Sequence, residues 1–318
     1  MYKKFYRLAR NPFEISPDPF FFYPTPCHIE ALAILNYAVL RRKGFVVVTG
    51  EVGTGKTLLV RCHLDALHRN EVAFAFICNP LLSVPDFLTQ VLSDLGLPSA
   101  ARSKNEMLSC LSNYLVARSC RGGPTALVVD EAQLLSWDLL EEIRLLTNLE
   151  TTQHKLLQIV LVGQPELDRK LDSQELRQLK QRIGMRCRLE PLGLEELRRY
   201  IMRRLELAGA NSHGATIIPD NAIRAIYKFS GGIPRLANIL CENALISGYG
   251  MQAKQVTPEM VQEIAADLRL DPVTQPSTTD SNHLDGGGKI LETLFRTMIK
   301  ALDGPLNSGL TQPNWIQK

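Results

Sequence analysis

Eight residues near the start of the chain, GEVGTGKT at 50–57, constrain the fold more than any other feature. They follow a short apolar, β-branched run at 45–50 and precede a segment with apolar residues at helical spacing. Glycine at positions 50, 53 and 55 lets the backbone curl so that successive N–H groups face one centre. The helix that follows adds the positive end of its dipole. This order of strand, glycine-rich turn and helix predicts a phosphate-binding loop in an α/β fold.

The residue types of this loop predict which ligand it holds. Lys56 would place a cation at the β- and γ-phosphates of a nucleotide, and the Thr57 hydroxyl would coordinate Mg²⁺. ATP and Mg²⁺ are therefore the expected ligands. The phosphates are expected to lie against the backbone of Gly50, Glu51, Val52, Gly53, Thr54 and Gly55.

A second apolar run, Leu127 to Val129, ends in two acidic residues, Asp130 and Glu131. In parallel sheets, ligands bind at the carboxyl ends of the strands. We expect Asp130 to hold Mg²⁺ through its water shell, and Glu131 to orient and polarise the attacking water. The alternative is that the two acids only cap the next turn.

Two more polar residues follow predicted strands. Gln164 lies at the carboxyl end of the run at 157–165, where its side chain would reach the γ-phosphate or the attacking water. Asn79 ends the run at 72–80 and could hold Glu131 in an inactive pose until a ligand binds. For both residues the alternative is a turn-forming role.

Strands and helices alternate along the first two thirds of the chain, which predicts a parallel sheet with helices on both faces. The fifth strand is expected at 186–192, after one helix at 166–182. From 194 onwards only helical patterns remain, so an all-helical lid of four short helices should follow. The predicted units are an N-terminal extended segment and helix at 1–44, the nucleotide-binding core at 45–192, the lid at 193–270, a linker at 271–288 and an amphipathic tail at 289–318.

Composition narrows the function classes. The net charge of +3 is too small to indicate nucleic-acid binding, although basic residues exceed acidic ones between Lys170 and Arg188. The seven cysteines form no C-x-x-C pair, which disfavours a zinc site. No run reaches the roughly 18 apolar residues of a membrane span, and the start has no signal-peptide core. We expect a cytoplasmic protein that reaches a membrane only through partners.

Five motifs, in this order, resemble those of AAA+ ATPases. They are GEVGTGKT at 50–57, DEAQ at 130–133, GQPEL at 163–167, LKQRIGMR at 179–186 and GGIPR at 231–235. The N-terminal NPF and SPDPFFFY, at 11–13 and 16–23, resemble more narrowly the ExeA/GspA group, the general secretion pathway protein A ATPases. The resemblance covers residues 1–270 and implies a P-loop NTPase sheet of the AAA+ type with its helical lid.

The resemblance also implies roles for single residues. Gln164 falls at sensor 1, and Arg235 falls at sensor 2, which contacts the γ-phosphate of its own subunit. Arg182 falls at the arginine finger, which acts on the ATP of the neighbouring subunit, with Arg177 and Arg186 as competitors. The residues expected to flank the adenine are Phe13, Pro19 to Tyr23, and His28.

The resemblance, together with the basic run at 177–188, leaves three functions open. The first is an oligomeric ATPase that drives assembly or remodelling of a cell-envelope secretion or export complex, with protein components of that complex as partners. The second is an ATP-dependent, DNA-binding regulator of transposition of the TniB/TnsC kind. The third is a nucleotide-gated scaffold with little turnover. By this resemblance, the secretion members of the group are expected to be longer proteins with a transmembrane helix and a peptidoglycan-binding domain. Neither feature is seen in this sequence.

Overall fold

The computed structural model describes residues 2–14, 19–21, 23–98, 103–210 and 213–273. The expected linker is described only at 271–273, and the expected amphipathic tail at 289–318 lies outside the described residues.

Five parallel strands form one sheet in the order β2-β3-β4-β1-β5. The strands are β1 Phe45–Gly50, β2 Ala73–Ile77, β3 Thr125–Val129, β4 Leu157–Gly163 and β5 Met185–Leu189. Each is a short apolar run, and β1, β3 and β4 are buried along their whole length, as central parallel strands require. Strands β2, β3 and β4 end before the predicted positions 80, 133 and 165. The polar residues of those runs therefore stand in the loops beyond the strands.

Helices cover both faces of the sheet. Val46 and Val48 of β1 pack on one face against α2 and α3, while Phe45 and Val47 pack on the other face. The helices of this core are α2 Pro26–Leu40, α3 Lys56–Arg69, α4 Val84–Asp94, α5 Lys104–Cys120, α6 Trp137–Leu146, α7 Pro165–Leu171 and α8 Arg177–Lys180. The predicted α/β fold of the P-loop NTPase type is confirmed.

The single helix predicted at 166–182 was wrong, because α7 ends at Leu171 and α8 begins at Arg177. Asp172 and Ser173 interrupt it, and both are residue types whose side chains compete with helical hydrogen bonds. The Asp172 carboxylate instead pairs with Lys180, at 2.9 Å, and with Arg186. The break leaves the end of this segment free to turn into β5.

An all-helical lid follows β5, as predicted, with one more helix than expected. Its helices are α9 Leu194–Leu205, α10 Gly214–Ile217, α11 Asp220–Ser230, α12 Pro234–Gly250 and α13 Pro258–Asp267. The short N-terminal helix α1, Tyr2–Phe5, packs into the hydrophobic core of the lid through Tyr2, and Tyr6 and Phe13 join the same core. The Tyr6 hydroxyl donates to the Ala253 carbonyl oxygen at 2.9 Å. The start of the chain is thus held by the lid.

Among the described residues, none of the helices combines the length and the apolar character that crossing a membrane requires.

Candidate nucleotide-binding site

A cavity of about 460 Å³ lies at the carboxyl ends of β1, β3 and β4. Residues from three parts of the chain line it: the glycine-rich loop at 50–57, the N-terminal segment through Phe21 and His28, and the lid through Arg204 and Arg235. Sheet, N-terminal segment and lid therefore enclose one site.

The glycine-rich loop is shaped to surround an anion. Gly53 and Gly55 have φ angles of +86° and +98°, a left-handed conformation that glycine adopts without strain. The Lys56 ammonium lies at the centre of the loop, where it donates to the carbonyl oxygens of Gly50 at 2.8 Å and Glu51 at 2.9 Å. Burial lowers the pKa of Lys56, while the nearby carboxylates of the site raise it. The loop and its cation fit the phosphates of a nucleotide.

Two neighbours fix the loop from outside. A β carbon at Gly53 would lie 2.7 Å from Cβ of Arg235, and one at Gly55 would lie 3.0 Å from Nε2 of His28. The Arg235 backbone N–H donates to the Gly53 carbonyl oxygen at 3.3 Å. The exposed Arg235 side chain lines the cavity. The lid therefore rests directly on the phosphate loop.

His28 joins the N-terminal segment to the same loop. Its Nε2 lies 2.9 Å from the Thr54 carbonyl oxygen, which can only accept, so Nε2 carries the proton. Nδ1 then accepts from the Thr25 hydroxyl at 2.6 Å. Burial lowers the pKa of His28 and favours this neutral form. The resemblance predicts that His28 lies beside the adenine. In the structure, His28 contacts the backbone of the phosphate loop.

Thr57 and Asp130 supply oxygen ligands of the kind that Mg²⁺ prefers. Asp130 is buried, which raises its pKa, whereas the Glu131 N–H and the Thr57 side chain lower it. The interaction between Thr57 and Asp130 brings together the two residues predicted to hold the metal. Their hard oxygen atoms and the buried carboxylate fit a Mg²⁺ ion bound with a nucleotide.

Glu131 has a left-handed backbone, with φ +51° and ψ +35°, which is uncommon for a residue with a side chain. Its N–H donates to Oδ1 of Asp130 at 2.9 Å. Its carboxylate accepts from Nε2 of Gln133 at 2.7 Å and from Nε2 of Gln164 at 3.4 Å. The strained turn and the two amides fix this carboxylate at the edge of the cavity, as is common for functional side chains.

Gln133 was missed at the sequence level, although it is the last residue of the DEAQ motif. Besides its bond to Glu131, its Oε1 accepts from the Gln164 backbone N–H at 3.0 Å. Asn79 does not take the position predicted for it, since no hydrogen bond joins it to Glu131 in the described parts of the chain. Its Oδ1 accepts from the Leu81 N–H at 3.2 Å, a local turn contact. Gln133 and Gln164 hold Glu131 here.

The three candidate finger arginines lie away from this cavity. Gly184, two residues after Arg182, donates its N–H to the carbonyl oxygen of Phe45, the first residue of β1. The phosphate loop starts at the other end of β1, roughly 16 Å away at about 3.3 Å per residue. Arg182 is half-buried and forms no ion pair in the described part of the chain, nor does Arg177. Arg186 is paired with Asp168 at 3.1 Å and with Asp172 at 3.2 Å.

The rest of the cavity wall comes from the N-terminal segment and helices α9 and α12. Phe21 and Tyr23, two of the residues predicted to flank the adenine, line it. Arg204 and Tyr200 of α9, and Asn238 of α12, line it as well and had no signal at the sequence level.

Comparison with known proteins agrees with this site. A family model described as an AAA domain matches residues 39–171. The chain is 42% identical over 257 residues to the general secretion pathway protein A of Aeromonas hydrophila. The match covers 80% of this chain and 46% of that relative, so it spans about half of the relative's length.

Two solved structures share the fold at low identity. Cdc6p of Pyrobaculum aerophilum superimposes with a TM-score of 0.59 at 21% identity, over 81% of this chain and 72% of that chain. A structure of Drosophila ORC bound to DNA gives a TM-score of 0.62 at 21% identity, over 84% and 66% of the two chains. The strand order, the glycine-rich loop and the matched AAA domain agree on an AAA+ ATPase fold, and the described ATPase region of this chain is similar to that of the general secretion pathway protein A (ExeA/GspA) group.

Proposed function

We propose that the chain binds Mg-ATP and hydrolyses it as a subunit of a homo-oligomer, and thereby drives assembly or remodelling of a cell-envelope secretion or export complex. The observation that carries the hydrolytic step is the Glu131 carboxylate, fixed by two glutamine amides beside Lys56 and Asp130. A carboxylate held in this way is suited to orient a water molecule, because its side chain need not reorganise during the reaction.

Each residue of the site has a separate role in binding or hydrolysis. The loop N–H groups and Lys56 bind the phosphates, and Thr57 and Asp130 are the residues that would hold Mg²⁺. The metal, when bound with ATP, neutralises charge on the phosphates. Glu131 accepts a hydrogen bond from the attacking water and polarises it. Gln164, already bonded to Glu131, is within reach of that water.

An oligomer would complete the site. Arg182 lies at the amino ends of the strands, whereas its own phosphate loop lies at their carboxyl ends. A nucleotide that it contacts would therefore be bound to another subunit. Of the three candidates, Arg186 is neutralised by two aspartates of its own chain, and Arg177 lies on an exposed helical turn. We therefore assign the finger to Arg182, where it would stabilise transition-state charge in trans. Arg235 of the lid, on the phosphate loop, would sense the γ-phosphate in cis.

Hydrolysis is tested with two variants and one control. Lys56→Ala should lose nucleotide binding in equilibrium titrations. Glu131→Gln should keep binding but lose turnover by on the order of 100-fold or more, the scale of a positioned base. Glu141→Gln, which removes an exposed carboxylate paired with Arg144, should change neither. Equal, slow hydrolysis by the wild type and Glu131→Gln would favour the nucleotide-gated scaffold instead.

The secretion role is supported by the similarity to a protein of that pathway over the ATPase region. The test is crosslinking in membranes of the source cell, with the Glu131→Gln variant used to trap the ATP-bound state. We expect envelope components to be crosslinked with ATP and lost with Lys56→Ala. Recovery of no envelope component in either state would argue against the role.

The main support for the DNA-binding alternative is the basic run at 177–188. Several basic residues of this run are paired with acidic residues of the chain, which weakens the alternative. Lys180 and Arg186 pair with aspartates of the chain, and Arg188 lies 3.5 Å from Glu190. A DNA-bound complex should show ATP turnover that duplex DNA stimulates and that falls steeply with salt. We expect no such stimulation, and its appearance would restore the alternative.

A further inference from the structure

Arg204 of helix α9 carries a buried charge. Its residue exposure is 7%, and among the described residues no carboxylate pairs with it. A buried guanidinium is costly unless its donors are satisfied, because it has given up its hydration. Of the neighbouring arginines on α9, Arg198, Arg199 and Arg203 are half-buried or exposed, so the burial of Arg204 is specific to its position.

The contacts of Arg204 fix the plane of its guanidinium. Nε donates to the Pro12 carbonyl oxygen at 2.5 Å, and Nη1 donates to the Tyr200 hydroxyl at 2.8 Å. The Phe21 ring centroid lies 4.8 Å from the guanidinium carbon, and the Tyr200 ring centroid lies 5.4 Å from it. These bonds use two of its five donors, and no protein acceptor for Nη2 occurs in the described ranges. Arg204 lines the cavity, so its remaining N–H groups are placed to donate to a ligand there.

The two halves of the cavity differ in chemistry. One half offers backbone N–H groups and Lys56, which suit phosphates. The other offers the rings of Phe21 and Tyr23 and the guanidinium of Arg204, all lining the same cavity. A flat aromatic ring with one or two acceptors suits such a surface, because it can stack on the rings and accept from a fixed donor. Glu14, which also lines this part, already accepts from Asn11 at 2.6 Å.

We propose that Arg204 binds the nucleotide base, donating from Nη2 to a ring nitrogen of the purine while Phe21 packs against the base. This inference rests on the proposed function, since it assumes that the phosphates occupy the glycine-rich loop. It adds a base-recognition residue on the lid, which the glycine-rich loop and the acid pair do not provide.

The network around Arg204 links the base to the rest of the lid. The Tyr200 hydroxyl donates to Oδ1 of Asn238 at 2.9 Å. Asn238 stands three residues after Arg235 on the same helix, α12, whose first turn lies on the phosphate loop. A base bound to Arg204 would therefore order the lid beside the residue that contacts the phosphate loop.

The test compares ATP with 1-deaza-, 3-deaza- and 7-deaza-ATP, each of which replaces one ring nitrogen by C–H. Affinities are measured by isothermal titration calorimetry with the wild-type protein, without hydrolysis as a readout. We expect one analogue to bind about 10-fold more weakly than ATP, the usual scale for a hydrogen bond to a charged donor. Equal binding of ATP and all three analogues would overturn the proposal.

Arg204→Met is the matched variant, since it keeps an unbranched apolar stem and removes the donors. We expect ATP to bind it about 10-fold more weakly, and the sensitive analogue to bind it as ATP does. A penalty of unchanged size in the variant would assign the ring-nitrogen contact to another residue and contradict the proposal. If the variant does not fold, equal binding of all four nucleotides by the wild type still overturns the proposal.

Failure of the proposal and failure of the proposed function are distinguishable. A wild-type protein that binds none of the four nucleotides contradicts the ATPase function, and the base site falls with it. A wild-type protein that binds all four equally, while Lys56→Ala binds none, keeps the function and removes only the role of Arg204.

Discussion

The two ends of the nucleotide cavity are built from different kinds of information. At the phosphate end, Gly53, Gly55, Lys56 and Thr57 are adjacent in the chain, and their conformation follows from a strand, a turn and a helix. At the end where we propose that the base binds, the chain near Pro12 and Phe21 meets Arg204 because the N-terminal segment packs into the lid. Local geometry produces the first end, and tertiary packing produces the second.

A third contribution comes from outside the chain if the proposed oligomer forms, and it concerns only the phosphate end. Arg182→Ala should lower turnover by on the order of 1000-fold with little change in nucleotide affinity, since a finger acts on the transition state. Arg186→Ala, the control in the same segment, removes two ion pairs within the chain and should leave most of the turnover intact. Steady-state ATPase assays and equilibrium titrations measure the two effects.

Mixing makes the trans geometry visible. Arg182→Ala and Glu131→Gln should each be nearly inactive alone. A mixture should regain turnover, because a subunit with an intact Glu131 can receive Arg182 from the other variant. A mixture that stays as inactive as its components would contradict the assignment of Arg182.

This contrast explains what the sequence could and could not predict. The fold, the loop at 50–57 and the acid pair were predictable because each is a short pattern whose chemistry needs neighbouring residues. Gln133 was within a recognised motif, but its bond to Glu131 depends on a strained turn that no pattern reports.

Arg204 was not predictable at all. In the segment LRRYIMRRL it is one of four arginines, and a basic residue on an amphipathic helix is ordinarily solvated. It is buried because Phe13 and Phe21 of the N-terminal segment pack over this part of α9. The single helix expected at 166–182 failed for a related reason, because tertiary ion pairs of Asp172 favour a break.

Gly232 and Leu192 form a contact between the core and the lid. A substitution there tests whether the two ends of the cavity depend on each other. Gly232 has a φ of +79°, and a β carbon there would lie 1.9 Å from the Leu192 carbonyl oxygen. Gly232→Ala should therefore lower the free energy of unfolding by about 3 kcal/mol or more, through backbone strain and the clash together. Urea denaturation measures the loss. Nucleotide affinity should fall as well, because the next residues place Arg235 on the phosphate loop.

Gly96→Ala is the matched control for this prediction. Gly96 has a φ of +71°, but nothing lies within 4 Å of the position of its β carbon. The free energy of unfolding should fall only by the cost of a left-handed alanine, about 1 kcal/mol, and the variant should bind nucleotide as the wild type does. Equal losses of unfolding free energy in both variants would mean that the backbone around Gly232 adjusts easily, and that the lid is not fixed on the core there.

The smallest effect concerns His28, the residue that joins the N-terminal segment to the phosphate loop. Burial lowers its pKa below the ordinary value of about 6.5, so the unfolded chain binds a proton there more readily than the folded chain. Stability from this residue is therefore complete above about pH 6.5 and is lost as the pH falls towards the folded pKa. Between pH 7.5 and 5.5 the loss is at most about 1.4 kcal/mol.

His28→Gln removes the titration and keeps an amide N–H that can donate to the Thr54 carbonyl oxygen. Its stability should fall less than that of the wild type over the same pH range, as measured by urea denaturation at several pH values. Because protonation would also break the bond from the Thr25 hydroxyl to Nδ1, ADP affinity should decline with the same pH dependence in the wild type alone. Parallel pH curves for both proteins would show that the contact between the two ends of the cavity does not depend on a neutral His28.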